Sequence, residues 1–386
     1  MIDAITLAQD LIRCPSVTPK DAGALDVLER ALTPLGFHCQ RLHFDEDGTE
    51  GVDNLYARLG SARPHFGFAG HTDVVPVGDV AAWTLDPFGA EIRDGVLYGR
   101  GAADMKAAIA AFVAACARVL ERGRPPGSIS LLITGDEEGV SINGTRKLLT
   151  WMRAQGEQLD HCLVGEPTAA SRSGDTVKIG RRGSMYVSFT ARGIQGHTAY
   201  PQRALNPIPI LATLASELAS EPLDGGTAHF EPSTLVFTSF DVGNTAGNVS
   251  PAVAHARCNI RFNDLHSPAQ LEQRLRARAD AVAARMGGQI TLEASVSGEA
   301  FLTRPGAFIE LIADAVRTIT ADTPRLSTDG GTSDARFIKD MCPVAELGLP
   351  GTTMHKVDEC MPVLEIAQLT EIYTALLKTY FDSPPL

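Results

Sequence analysis

The residues of this chain that could bind a cation or move a proton recur at one kind of place, the end of a short apolar run. His71 and Asp73 follow the run at 63–70, in G-H-T-D. Asp136, Glu137 and Glu138 follow the run at 128–134, in T-G-D-E-E-G, and Glu166 follows 161–165, in V-G-E-P-T. His355 comes shortly after 342–347, in T-M-H-K-V-D-E. Asp104 lies in the glycine-rich stretch G-R-G-A-A-D-M-K, just ahead of a helical run at 106–122. Two imidazoles with several carboxylates and no thiolate suit Zn²⁺, with Co²⁺ or Mn²⁺ as replacements. Each residue also has an ordinary alternative, since an acid after a strand often caps a helix or solvates a loop. Spacing alone leaves both readings open.

The elements that must position these residues fall into two patterns. In the first third, continuously apolar strands at 63–70, 128–134 and 161–165 alternate with helices at 106–122 and 144–155. That alternation predicts a mostly parallel sheet with helices on both faces, and ligands bind beyond the carboxyl ends of such strands. From about Arg182 the strands alternate apolar with polar, as Met185, Val187 and Phe189 do, and as Ala256, Cys258, Ile260 and Phe262 do. With helices at 206–220 and 267–286 and strands at 184–192, 234–241, 255–262 and 289–297, the order is β-α-β-β-α-β, that of a ferredoxin-like unit with one exposed face. Ser267-Pro268 supplies an N-cap and a proline in the first turn. After Gly298 the first pattern returns, with a helix at 308–319, a strand at 342–347 and a helix at 363–381. The expected class is therefore α/β: a discontinuous catalytic domain over 1–181 and 296–386, interrupted by an inserted α+β domain over 182–295.

At 386 residues the chain is longer than one core of roughly 150 residues. Asp plus Glu number 46 against 34 Lys plus Arg, a net charge of −12, which disfavours wrapping a nucleic acid. No apolar run reaches the roughly 18 residues of a membrane span. The first twenty residues carry Asp3 and Asp10 and lack a basic leader, so neither a signal nor a transit peptide is expected. The seven cysteines are odd in number, scattered and free of C-x-x-C pairs, against a disulfide framework or a thiolate zinc site and in favour of a cytoplasmic chain.

The motifs G-H-T-D-V-V-P-V-G-D…W…P-F, Y-G-R-G-A-A-D-M-K, T-G-D-E-E-G and V-G-E-P-T resemble the metal-site signatures of the dinuclear zinc aminoacylase/carboxypeptidase family, the M20-like metallopeptidases, over residues 11–381. The resemblance implies two divalent metals bridged by Asp104, one taking His71 and Glu166, the other Glu138 and His355. Three carboxylates would bring about −3 against +4, leaving positive charge to acidify a water. It further implies Glu137 as general base, Asp73 holding the His71 imidazole, and an inserted lid through which two copies form a homodimer. His197 would then reach the partner's site and stabilise the oxyanion.

Local matches at 174–184, 193–201 and 327–337 resemble the desuccinylases of that family. They imply hydrolysis of N-succinyl-LL-2,6-diaminopimelate to succinate and LL-2,6-diaminopimelate, with Lys178, Arg181, Ser184, Tyr200, Asn248, Arg261, Gly331 and Thr332 binding this small-molecule substrate. Gly351 stands where many desuccinylases carry asparagine. The alternative is another N-acyl-amino-acid deacylase, acetylornithine deacetylase-like. A non-catalytic ligand-binding relative is disfavoured because Glu137 and every expected ligand position are present.

Overall fold

The computed structural model describes residues 2–46 and 48–382. The chain divides into two compact units: Met1–Ile179, Thr303–Ser327 and Ser333–Leu386 form the first, Gly180–Leu302 and Thr328–Thr332 the second. The second unit therefore runs beyond the expected 182–295. Gly180–Arg181 pairs antiparallel with Phe301–Leu302, and the Arg181 guanidinium donates to the carbonyls of Asp329 and Gly331 at 3.3 and 3.2 Å. Those bonds add both flanks and the 328–332 segment to the unit.

In the first unit an eight-stranded sheet runs in the order His38–Phe44, Val52–Leu59, Ser128–Thr134, His65–His71, His161–Val164, Val344–Glu346, Thr176–Lys178 and Arg325–Ser327. His65–His71 and Ser128–Thr134 bury every residue, as strands covered on both faces must, and pair in parallel. His161–Val164 continues the parallel set on the other side. The hairpin His38–Phe44/Val52–Leu59, which sequence reading left unassigned, adds an antiparallel edge.

The helix Lys106–Leu120 is almost wholly buried. Phe112 stacks on Phe68 with ring centroids 4.0 Å apart and meets Tyr373 of the helix Val363–Asp382 edge-on at 5.6 Å. A side chain of this size contributes about 2–3 kcal/mol by leaving water. Glycine lets Met105 lie against the sheet: a Cβ at Gly70 or Gly165 would stand 2.6 or 2.7 Å from the Met105 Cε. Met105 directly follows Asp104, so this close approach also fixes the start of the helix behind a candidate ligand.

The second unit has a four-stranded antiparallel sheet in the order Thr234–Asp241, Val253–Phe262, Gly183–Arg192, Gln289–Gly298, the ferredoxin-like arrangement. One face carries Met185, Val187, Phe189, Ala256, Cys258 and Ile260 and packs under the helices Pro207–Ser220 and Pro268–Met286. Ser267 and Gln270 close a reciprocal capping box at the second helix. Among the described residues no helix is long and apolar enough to cross a membrane.

Candidate metal centre

The candidate ligands come from strand ends and loops of the first unit. His71 is the last residue of its strand, and Glu137–Glu138 and Glu166 follow the two strands that flank it. Parallel neighbours point their carboxyl ends the same way, so residues distant in sequence meet at one rim. Asp104 lies just before the buried helix, and His355 in the loop after Val344–Glu346.

Two groups result, His71–Asp104–Glu166 and Asp104–Glu138–His355, each with candidate ligand atoms within 4.8 Å of one another. Asp104 belongs to both. Its Oδ1 lies 3.2 Å from His71 Nε2 and its Oδ2 3.3 Å from His355 Nε2. Glu166 Oε1 is 3.8 Å from His71 Nε2, and Glu138 Oε1 is 2.7 Å from His355 Nε2. His71, Asp104 and Glu166 are buried, whereas the His355 side chain is 46% exposed, so the rim opens to solvent on that side.

Asp73 acts differently from the expected side-chain brace. His71 Nδ1 donates to the Asp73 backbone carbonyl at 2.9 Å, while the carboxylate stands 3.6 Å away. That carboxylate instead accepts the backbone N–H groups of Glu137 and Glu138, at 3.3 and 3.0 Å. A carbonyl can only accept, so Nδ1 holds the proton and Nε2 faces the acids, the orientation a ligating imidazole needs. Asp136 turns away from both groups and accepts the N–H groups of Ile142 and Asn143.

The electrostatics describe a site with more acid than it can ionise unaided. Burial alone would lower the His71 pKa, but the hydrogen bond to Asp104 and the charges of Glu166, Asp104 and Asp73 hold it well above the ordinary value. His355 is raised to about 10 by its bonds to Asp104 and Glu138. Burial acts to raise Asp104, yet bonds to the two histidines keep its carboxyl low. Glu166 is pushed up by burial and by the charges of Asp104 and Glu137. Burial, then Asp334, raises Glu137 well above the usual carboxylate range, and burial raises Asp73 to about 6. Crowded acids that draw protons onto their imidazoles form a pocket that a cation would neutralise. The donors are oxygen and nitrogen only, which fits a divalent metal of zinc's class.

Sequence reading left Asp334 without a role, although its motif was visible. Its Oδ2 accepts from Thr145 Oγ1 at 2.5 Å, and Arg336, beside it, donates to Ser141 Oγ at 3.0 Å. Glu359, four residues after His355, was likewise unassigned.

The expected substrate residues are divided between the units. Lys178, in the first, is buried with its Nζ 3.3 Å from Ser327 Oγ. In the second, Ser184 and Arg261 are directly paired across strands, and Asn259 joins them: its Nδ2 lies 3.4 Å from Ser184 Oγ, and its Oδ1 accepts from Arg261 Nε at 3.0 Å. Arg181 reaches the Gly331 carbonyl, next to Thr332. His197, Tyr200 and Asn248 share an exposed surface: His197 ends the short strand Gly196–His197 paired with Val249–Ser250, the His197 and Tyr200 rings are 5.9 Å apart, and the Asn248 carbonyl accepts the Thr198 N–H. His197 Nδ1 accepts the Ala199 N–H at 3.0 Å, which leaves Nε2 as a donor.

The model of peptidase family M20/M25/M40 matches residues 67–379. A protein of Rhodospirillum centenum named succinyl-diaminopimelate desuccinylase is 62% identical over 380 residues, covering 98% of this chain and 97% of that one. Among solved structures, aminopeptidase PepT of Bacillus cereus superposes with a TM-score of 0.79 at 23% identity, covering 97% of each chain. The Bacillus subtilis YXEP protein, described as a dinuclear metal binding peptidase of the M20 family, superposes at 0.74 and 15% identity, covering 99% of this chain and 98% of that one. At those identities the two structures speak for the fold alone. The family model and the close relative together establish that the chain belongs to peptidase family M20/M25/M40.

Proposed function

We propose that this chain hydrolyses N-succinyl-LL-2,6-diaminopimelate to succinate and LL-2,6-diaminopimelate, a step in lysine and meso-diaminopimelate biosynthesis. The observation that carries this reading is Asp104 shared by two ligand groups beside Glu137, in a chain 62% identical to a relative that bears the desuccinylase name. His71 and Glu166 would hold one divalent cation and Glu138 and His355 another, with Asp104 between them; Zn²⁺ is the first choice, Co²⁺ or Mn²⁺ replacements. Bound there, such ions supply Lewis acidity toward the scissile carbonyl and lower the pKa of a water.

The rest of the chemistry falls to the chain. The Glu137 carboxylate takes a proton from the attacking water and returns it to the leaving nitrogen. Asp73 holds that carboxylate in place through the Glu137 and Glu138 backbone and fixes the His71 tautomer through its own carbonyl. In a homodimer built through the second unit, the exposed His197 donates from Nε2 to the oxyanion in the partner's site. Ser184, Arg261, Arg181, Lys178, Tyr200, Asn248, Gly331 and Thr332 bind the substrate's carboxylates and polar ends. A bidentate guanidinium such as that of Arg261 suits the succinyl carboxylate. A biosynthetic enzyme of this type belongs in the cytoplasm.

The test is a paired steady-state assay on the succinylated substrate and on N-acetylornithine, before and after chelation and with Zn²⁺ restored. Higher kcat/KM on the succinylated compound, lost with the metal and regained, supports the reading. A preference for acetylornithine overturns the substrate, and undiminished turnover after chelation overturns the metal.

A further inference from the structure

Glu359 is buried without any exposed surface, yet it is a carboxylate, and nothing in the chemistry above uses it. Its Oε1 accepts three backbone N–H groups, those of Gly101, Ala103 and Asp104, at 3.1, 2.9 and 3.1 Å. Its Oε2 accepts from Arg100 Nη1 at 2.6 Å, and its own carbonyl accepts the Gly99 N–H at 2.9 Å. Residues 99–104 thus wrap around one carboxylate, successive N–H groups converging on an anion as in a backbone nest. The last residue of the wrap is Asp104, the one side chain common to both ligand groups.

The other end of this tie is the loop that carries His355. His355 and Asp358 both hold left-handed backbone, φ 61° and 56°, which non-glycine residues adopt at a cost and keep only where surrounding contacts enforce it. Two sets of contacts do so. Asp358 accepts the Thr84 N–H and hydroxyl, each at 2.7 Å, and Glu359 anchors to the Asp104 loop. Arg100 completes the clamp: it donates to the Lys356 and Pro76 carbonyls, and its guanidinium lies 5.2 Å from the centroid of the Trp83 ring. One carboxylate therefore joins the loop that presents Asp104 to the loop that presents His355, whose reactive atoms stand 3.3 Å apart.

We infer that Glu359 is a positioning residue for the metal centre, setting the Asp104-to-His355 separation by holding the 99–104 backbone through its Oε1 acceptor. The inference rests on the two-metal reading above. An apolar side chain would fill the same volume, but it would leave three converging N–H groups without an acceptor and free the two loops from each other. The ligand-bearing side chains would remain, no longer fixed at one spacing. Residues that orient a ligand through hydrogen bonds typically change metal affinity by roughly 10- to 100-fold when lost.

The experiment is a Co²⁺ titration followed by visible absorption, with thermal unfolding run alongside, on the full chain and on E359A, E359Q and E359D. The unaltered chain should take up two Co²⁺ per protomer. E359A should bind roughly 10- to 100-fold more weakly, with an altered absorption band that reports changed coordination. E359Q keeps a carbonyl oxygen where Oε1 stands but turns an NH2 donor toward Arg100, so its affinity should recover most of what E359A loses without reaching that of the unaltered chain. E359D keeps the charge but draws the acceptor back by one methylene, so it should bind more weakly than E359Q. Should E359A fail to fold, the order of E359Q over E359D carries the test, and the reverse order overturns the inference. Lower thermal stability in E359A with unchanged Co²⁺ affinity and band shape would reduce Glu359 to a packing role and overturn it too. If the unaltered chain binds no Co²⁺, the two-metal reading falls and takes the inference with it; two bound ions with an unaffected E359A sink the inference alone.

Discussion

The carboxylate of Asp73 accepts the backbone N–H of Glu138 at 3.0 Å, so a residue next to one candidate ligand holds the backbone of another. The Glu137 N–H converges on the same carboxylate at 3.3 Å. Asp73→Ala would leave two part-buried donors without that acceptor, a cost of at most about 1–3 kcal/mol each. Urea unfolding should show the loss of stability, and equilibrium dialysis against Zn²⁺ a parallel loss of affinity. An unchanged affinity in the folded variant would remove Asp73 from the support of the centre.

Glu137 belongs to neither ligand group, which separates its role from theirs. Glu137→Gln should therefore keep its metal content by elemental analysis while kcat falls by roughly 10²- to 10⁴-fold, the usual worth of a general base. A variant that keeps both metal and turnover would rule out Glu137 as the base.

His197 is exposed, and its assigned role requires a second chain. His197→Ala should lower kcat by roughly 10²- to 10³-fold with metal unchanged. Mixing H197A with E137Q discriminates further. If the imidazole serves the partner's site, each mixed dimer regains one site with both groups intact, and activity reappears after subunit exchange. If it served its own site, the mixture would stay as inactive as its components.

His65 offers a pH dependence away from the centre. It is 2% exposed, lies within 2.7 Å of the Gln158 carbonyl and Ser130 Oγ, and its pKa is lowered by burial from 6.5 to about 4. The unfolded chain therefore binds a proton between those values that the folded chain refuses. The stabilisation is fully present above pH 6.5 and is lost as pH falls toward 4, reaching about 3 kcal/mol. Stability curves of the unaltered chain and of H65Q, measured from pH 7.5 to 4.5, should converge toward the acid end; parallel curves would show that His65 does not carry the effect.

Much of this arrangement could be read from the residues because parallel strands turn sequence pattern into place. A buried strand such as Ser128–Thr134 carries an apolar centre, Ile129 and Leu131-Leu132-Ile133, and the acids just past its end must stand at the rim. The ferredoxin-like unit was equally readable, since Ala256, Cys258, Ile260 and Phe262 alternate with polar neighbours in the way a half-exposed strand requires. Backbone acceptors were not readable. Nothing in the spacing says that Asp73 holds residues 137 and 138, or that Glu359 collects three N–H groups from more than 250 positions away. Those bonds depend on loop paths fixed only by tertiary packing. The hairpin His38–Phe44/Val52–Leu59 was missed for a related reason: its first strand is mostly exposed and carries His38, Gln40, Arg41 and His43, a weak hydrophobic pattern.

The strand order has a consequence for the chain as it leaves the ribosome. Val344–Glu346 lies between His161–Val164 and Thr176–Lys178, so the strand of the large sheet that is made last occupies an interior position in it. Synthesis delivers the amino-terminal portion first, and every nascent chain shorter than this point lacks both that strand and His355. Assembly of the second ligand group therefore waits until residue 355 has been made. A chain halted before residue 344 should be cleaved by protease at Leu163, Val164 or Val177, in the two strands that wait for their neighbour and are buried once it is in place.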